Sequence, residues 1–325
     1  MAVIGIESSA HTFGVGIVEK GRVLSNEKEM FKIGTTGMIP GDVAEFHVEN
    51  SGSVIKRAIE KAEISIKDIE GIGYTRGPGL GPCLQVCRLA AKTLAKRLGV
   101  KIVPVNHGVG HIEAARILSG LKDPVVLYVS GGNSQILKLT DKPFTHYRVL
   151  GETFDIGVGN MLDSFARSIN LNPAWGSTVD KMAEKGSYVE LPYNVKGMDF
   201  SFAGLMTKAS KLAKKHSKED MCFSIEEIAF SMLCETTERA LLLTNSSEVC
   251  VCGGVAQSRR LREMLGLMAA EHGAKFGFCA NEFNADNGAM IALVAERMLG
   301  NGYSVPPERC DIEQRYRVDS ALVFR

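Results

Sequence analysis

The sequence is short of net charge. Thirty-eight Lys and Arg stand against 37 Asp and Glu in 325 residues, a formal +1. Global attraction to a polyanion is therefore absent, and any nucleic acid has to be held by local patches or by partner proteins. No apolar run approaches the length needed to span a bilayer. The opening Met1-Ala2-Val3-Ile4-Gly5-Ile6-Glu7 carries neither a basic leader nor a cleavage site, so no secretory signal is expected. The eight cysteines contain no CxxC pair and sit mostly in apolar segments, the pattern of buried, reduced thiols. Together these absences predict a cytoplasmic protein without a membrane partner. There is no GxxxxGK[ST], which excludes a P-loop enzyme. With 45% hydrophobic and 23% charged residues the composition excludes a disordered or fibrous chain. The length suits two domains or one large duplicated one.

What is present begins with an internal echo. An apolar run over residues 3–6 is followed by a small polar turn, a second run over 13–18, a Glu19-Lys20-Gly21 turn and a third strand near Val23. The pattern returns at Val125-Val126-Leu127-Tyr128-Val129, the turn Ser130-Gly131-Gly132-Asn133-Ser134, a strand over 136–139, an Asp141-Lys142 turn and a strand over 146–150. Helical spacing follows both copies, over 48–62 and 84–98 in the first half. In the second it covers 161–169, 205–213, 225–243, 261–271 and 287–299. Further strands are predicted at 71–74, 101–105 and 249–252. The simplest account is an α/β chain of two βαβ-type lobes facing a central cleft, residues 1–120 and 121–325. The segment from about 287 is expected to pack back on the first lobe. Ligands in such lobes bind at the sheet ends.

His107 and His111 stand four apart in His-Gly-Val-Gly-His; on a helix both imidazoles share one face and can reach one metal ion, although the spacing also arises without a shared ligand. The residue after His107 is Gly108, so the glutamate base of a HExxH protease is missing. Tyr128, ending a strand before Gly131-Gly132, and Asp286, before the last helix, are further ligand candidates; the alternative for Asp286 is a helix N-cap. This donor set suits one divalent or trivalent metal, iron or zinc. Three small-residue clusters at strand ends fit a phosphate: Glu7-Ser8-Ser9, Ser130-Gly131-Gly132, and Gly253-Gly254 with Val255-Ala256. The Gly/Pro-rich stretch 76–83 is a binding loop or a strand-to-helix connection. Lys208, Lys211, Lys214, Lys215, His216 and Lys218 form a solvated face or a contact to nucleic-acid phosphates.

These motifs resemble the universal family that forms threonylcarbamoyladenosine in tRNA, in its archaeal/eukaryotic branch. The resemblance rests on Ile4-Gly5-Ile6-Glu7-Ser8-Ser9, the stretch 76–84, the two histidines, Tyr128 to Gly132, Asp199-Phe200-Ser201-Phe202-Ala203-Gly204-Leu205, Gly253-Gly254-Val255-Ala256, Asp286-Asn287-Gly288-Ala289-Met290 and the ending 312–317. It implies an actin/Hsp70/sugar-kinase (ASKHA) fold. It also implies a transferase that moves threonylcarbamoyl from threonylcarbamoyl-AMP to N6 of the adenosine beside the anticodon of ANN-decoding tRNAs, releasing AMP. His107, His111, Tyr128 and Asp286 would hold the metal. Tyr128, Val129, Ser130, Gly131, Gly132, Asp163, Gly176 and Asp180 would hold the adenylate or another ATP/AMP-type nucleotide. The implied partners are tRNA and, as in a KEOPS-type complex, a kinase-like subunit and a small dimerising subunit. Three departures stand out: Ser258 replaces the family's Asn, Ala174-Trp175-Gly176-Ser177 replaces a Pro-Gly-Gly-Pro run, and Gly37-Met38-Ile39-Pro40 replaces a His-rich motif of which His47 remains. No side chain stands out as a general base. The rival readings are an ATPase or small-molecule kinase on the same fold, which needs an acidic base and a Mg²⁺ site, and a non-catalytic nucleotide-binding scaffold.

Overall fold

The apolar start folds as the strand β1 (Ala2–Glu7), buried along its whole length. A computed structural model describes residues 2–32, 38–141 and 144–324. Gly37 of the departed His-rich motif and Lys142 of the predicted turn lie outside them. The chain continues through β2 (Thr12–Glu19), β3 (Arg22–Met30), α1 (Pro40–Ala62), β4 (Ile69–Gly77), α2 (Gly81–Leu98), β5 (Lys101–Asn106) and α3 (His107–Leu118). It then forms β6 (Val125–Val129), β7 (Ser134–Thr140), β8 (His146–Glu152), α4 (Val158–Ser168), α5 (Gly176–Ala183), β9 (Val195–Lys196), β10 (Asp199–Phe200) and α6 (Ala203–Leu212). Last come α7 (Lys218–Thr244), β11 (Glu248–Cys252), α8 (Arg259–Glu271), β12 (Lys275–Gly277), α9 (Asn281–Asn284) and α10 (Gly288–Gly300).

Two compact units result: one of Met1–Ile117, Thr140–Tyr147 and Ala285–Arg325, the other of Leu118–Leu139 and Arg148–Asn284. Each is built on a five-stranded sheet, in the orders β3-β2-β1-β4-β5 and β8-β7-β6-β11-β12. In both, the first strand is central, with an antiparallel hairpin partner on one side (β2, β7) and a parallel strand on the other (β4, β11). The echo in the sequence is thus a duplicated topology.

In the first unit the period of two along β1 sorts its side chains. Ile4 and Ile6 pack with Val54 and Ala58 of α1 and Cys87 and Ala91 of α2. Gly5 faces the other way, onto α10: a Cβ there would lie 2.2 Å from the Ala292 backbone N and 2.3 Å from Gly288 O. Any side chain at this position would push α10 off the sheet. In the second unit Val125, Leu127 and Val129 point into the core formed with α4, α5 and α7, and Tyr128 points to the opposite face of β6.

Two segments are longer than their apolar spacing predicts. Helix α1 starts at Pro40, well suited to a first turn, and α7 starts at Lys218 because Ser217 Oγ accepts the Asp220 N–H at 3.0 Å. Strand β12 and helix α5 were too short to register as periodic. The stretch 76–83 connects β4 to α2 and is covered by the tail: Arg76 O accepts the Glu313 N–H at 2.9 Å, and a Cβ at Gly77 would lie 1.8 Å from Glu313 O. All eight cysteines are buried and none forms a disulfide. Among the described residues no helix is long and apolar enough to cross a membrane.

Candidate metal centre

Helix α3 begins where β5 ends, at the first of the two histidines. Asn106 starts it by accepting the Val109 N–H on its side-chain oxygen at 3.1 Å. The four-residue spacing then stacks His107 and His111 on one inward face, ring centroids 4.7 Å apart and nearly perpendicular; they are 9% and 2% exposed.

The third candidate ligand comes from the far end of the sequence. The cap of α10 is Asn287, whose Oδ1 accepts the Met290 N–H at 3.0 Å, and not Asp286. The Asp286 carboxylate is left to face the histidines, its Oδ1 3.2 Å from His111 Nε2 and 3.5 Å from His107 Nε2. The glycine contacts of α10 with β1 and β2 bring it there: a Cβ on Gly16 would meet Ala289 N at 2.2 Å, and one on Gly288 would meet Gly16 N at 2.1 Å. His107, His111 and Asp286 each offer a donor atom within 4.8 Å of the others.

Glu7 escaped the sequence reading, which grouped it with the small residues of a phosphate turn. It ends β1 on the same face as Gly5, fully buried, and its Oε2 lies 3.0 Å from His107 Nδ1. Ser9 N–H donates to Oε1 at 2.7 Å and Thr75 Oγ1 donates to Oε2. The available signal was an acid closing an otherwise apolar strand. With Nδ1 held by a carboxylate, Nε2 of His107 is the nitrogen presented to Asp286.

The electrostatics follow. Burial disfavours a charged imidazole at both histidines. At His107 the carboxylates of Glu7 and Asp286 outweigh it, pushing its pKa up to about 9. At His111 burial prevails and the pKa falls. Burial also works against the charge of Glu7 and Asp286, yet His107 beside them holds both carboxyls low. Two anions around a desolvated imidazole attract positive charge, and two ring nitrogens with a carboxylate oxygen suit a borderline transition metal.

The other expected residues divide between the units. Ser8 and Ser9 are in the first: Ser8 Oγ donates to Cys83 O at 3.0 Å, and Ser9 Oγ lies 3.2 Å from His107 Nδ1. Tyr128 and Val129 lie on β6 of the second unit, with Tyr128 opposite Cys252 in the ladder. Ser130 closes a turn by donating its N–H to Asn133 O at 2.8 Å. Gly131 O accepts the Asn160 N–H at 3.0 Å, and Gly132 completes the turn. Gly253, at φ +94°, is tight against this strand, because a Cβ there would lie 2.3 Å from Val129 O; Gly254 follows it. Asp163 accepts the Gly176 N–H at 2.7 Å, and Ser258 Oγ donates to Asp180 at 2.7 Å.

Comparison with known proteins decides what this set belongs to. The family profile described as "tRNA N6-adenosine threonylcarbamoyltransferase" matches residues 21–293. A protein of that name from Saccharolobus islandicus is 45% identical over 326 residues, covering 98% of each chain. The chain belongs to this family. Membership makes it an enzyme, a transferase of the tRNA-modifying kind. A Thermoplasma acidophilum relative, named a probable bifunctional tRNA threonylcarbamoyladenosine biosynthesis protein, is 44% identical over 98% of this chain but only 60% of its own length. The crystal structure of HypF from T. kodakarensis superposes with a TM-score of 0.60 at 16% identity over 92% of this chain, which spans 47% of HypF. That likeness concerns the fold alone and agrees with the duplicated α/β architecture.

Proposed function

We propose that the chain transfers the threonylcarbamoyl group of threonylcarbamoyl-AMP to N6 of the adenosine beside the anticodon of ANN-decoding tRNAs, with AMP as the other product. The observation that carries this reading, beyond family membership, is the convergence of His107, His111 and Asp286 with Glu7 behind His107. These residues fit one iron or zinc ion. When bound, such an ion polarises a carbonyl oxygen as a Lewis acid. The chain's own task is placement. Helix α3 and the start of α10 fix three donor atoms, and Glu7 fixes the tautomer of one of them. The glycine turns at 130–132 and 253–254 offer backbone N–H groups to the adenylate phosphate. Asp163, Gly176, Asp180 and Ser258 are assigned to the nucleoside. The exocyclic amine of adenosine is a weak nucleophile because its lone pair is delocalised into the ring, so positioning supplies much of the acceleration. Tyr128 joins the ligand set on the strength of the resemblance alone; full metal content in Tyr128→Phe removes it.

Near-zero net charge supports a requirement for accessory proteins, a kinase-like and a small dimerising subunit. The exposed Lys208, Lys211, Lys214, Lys215 and Lys218 on and between α6 and α7 are assigned to tRNA phosphates. The deciding experiment supplies synthetic threonylcarbamoyl-AMP and unmodified tRNA to the chain with these subunits, and measures the nucleosides by mass spectrometry. Threonylcarbamoyladenosine is expected; phosphate transfer from ATP without it would replace this reading by the kinase one.

A further inference from the structure

The amide that starts α3 is bonded at both of its ends. Asn106 Oδ1 accepts the Val109 N–H, and Nδ2 donates to Tyr316 O at 3.0 Å and to Arg317 O at 3.3 Å. Asn106 is itself buried. The residue that fixes the backbone at His107 is thus tied to a segment 210 residues further along the chain. A second path leads from the same segment to the other side of His107. Gln314 O accepts the Gly79 N–H at 3.3 Å, and Ser9 O accepts the Leu80 N–H at 2.7 Å. Ser9 N–H in turn is a donor to Glu7, the acid behind His107. These pieces are in close contact: a Cβ at Gly81 would lie 2.5 Å from Gln314 Nε2, and one at Gly79 2.5 Å from Ser9 O.

Segment 311–317 is held differently from the strands and helices around it. None of its residues is buried. Its anchors are polar: Arg76 reaches Asp311 at 2.9 Å and Glu313 at 3.4 Å and lies 5.0 Å over the Tyr316 ring. Tyr74 Oη donates to Asp311 O at 2.9 Å. A cavity of about 20 Å³ remains beside Asn106, between Arg76, Val109, Tyr316 and Leu322. A segment with few buried apolar contacts opens locally, well before the whole unit unfolds. Opening this one breaks both Asn106 bonds to it and releases the loop at Gly79, while the buried strands beneath stay folded.

We propose that segment 311–317 is a strap that tunes metal affinity, with Asn106 as the positioning residue that couples the two. The inference rests on the reading of His107, His111 and Asp286 as metal ligands. With the strap closed, Asn106 is held by three hydrogen bonds and the first turn of α3 is fixed. With it open, the amide can rotate and His107 is aimed less well. Metal and closed strap then stabilise each other by the same factor, because coupling is reciprocal.

The test measures Zn²⁺ affinity of the full chain by calorimetry, and hydrogen exchange over residues 311–317 with and without saturating Zn²⁺. In the wild type, Zn²⁺ should slow that exchange about tenfold, the size of an ordinary coupling. Asn106→Ser keeps a hydroxyl for the Val109 N–H but is too short for the Tyr316 and Arg317 carbonyls. It should bind Zn²⁺ about tenfold more weakly and lose the slowing. Tyr316→Ala removes the ring under Arg76 and should also weaken Zn²⁺ binding, whereas Tyr316→Phe should keep it. A strap that only packs would lower the melting temperature of Asn106→Ser and Tyr316→Ala and leave their Zn²⁺ affinity unchanged; that result overturns the proposal. So does exchange that is indifferent to Zn²⁺ in a wild type that binds it, and the metal centre then still stands. A wild type that binds no Zn²⁺ removes the metal reading, and the strap's role with it. Should Asn106→Ser not fold, wild-type exchange and the Tyr316 pair decide.

Discussion

The turns after β1 and after β6 occupy the same place in two copies of one topology, yet they are filled in opposite ways. At the end of β1 come Glu7, Ser8 and Ser9, all nearly inaccessible, with side chains committed to neighbours: Glu7 to His107 and Thr75, Ser8 to the backbone of α2. After β6 come Ser130, whose Oγ accepts the Asn133 N–H at 3.1 Å, and then Gly131 and Gly132, whose backbone is exposed. A duplicated strand-turn-strand unit delivers a loop to the end of a central strand in either case. Whether that loop stiffens a cation site or leaves N–H groups for an anion depends on the residues placed in it. The first copy invests in buried charge, the second in bare backbone.

The largest expected effect comes from emptying the charged copy. His107→Ala with His111→Ala removes two of the three converging donors, so metal measured by mass spectrometry should fall to background, and modified nucleoside in tRNA should drop by about two orders of magnitude or more. Wild-type modification in that double variant would take the metal centre out of the mechanism. Next is Glu7→Gln, which keeps shape but exchanges the carboxylate behind His107 for a neutral amide. Loss of such a supporting group costs roughly 10–100-fold in metal affinity. Metal titration showing an unchanged affinity would mean that Glu7 is packing alone, and the contrast between the two turns would lose its basis. In the backbone copy, Gly253→Ala puts a methyl group 2.3 Å from Val129 O at a φ of +94°. Thermal unfolding should show a loss of about 1–3 kcal/mol, with the metal content intact because the first unit is untouched.

Much of this contrast was legible before any coordinates. The echo of strand, turn and strand gave both hairpins and, with helical spacing, most helices, because alternation and three-four periodicity report directly which face is buried. His107 and His111 were legible because their spacing is local. Asp286 stood among the ligand candidates beside its alternative as a helix cap, and only the structure gives that cap to Asn287. Glu7 was misread because its partner His107 is a hundred residues away, and nothing in a one-dimensional pattern says which of two turn carboxylate uses the fold selects. Glu226 was invisible for a related reason. Within α7 it reads as one acid among Glu219, Asp220, Glu226, Glu227, Glu235 and Glu238, and only its burial separates it from the others.

The smallest predicted effect extends the comparison to protonation, since buried acids are treated differently in the two units. In the first, Glu7 is held low beside an imidazole; in the second, Glu226 is raised to about 9 by burial and by Asp180. For Glu226 the folded state keeps its proton where the unfolded chain, with an ordinary carboxyl, has released it. Stability from this group is therefore complete below the ordinary carboxylate range and declines as pH rises, until about 9, where the folded state also ionises. Glu226→Gln cannot titrate. Its melting temperature should fall less than the wild type's between pH 5 and 9, by a few degrees at the upper end. Parallel pH profiles for the two proteins would mean that Glu226 ionises normally in the folded chain. The neutral acid beside Asp180, and the second half of the contrast, would then have to be abandoned.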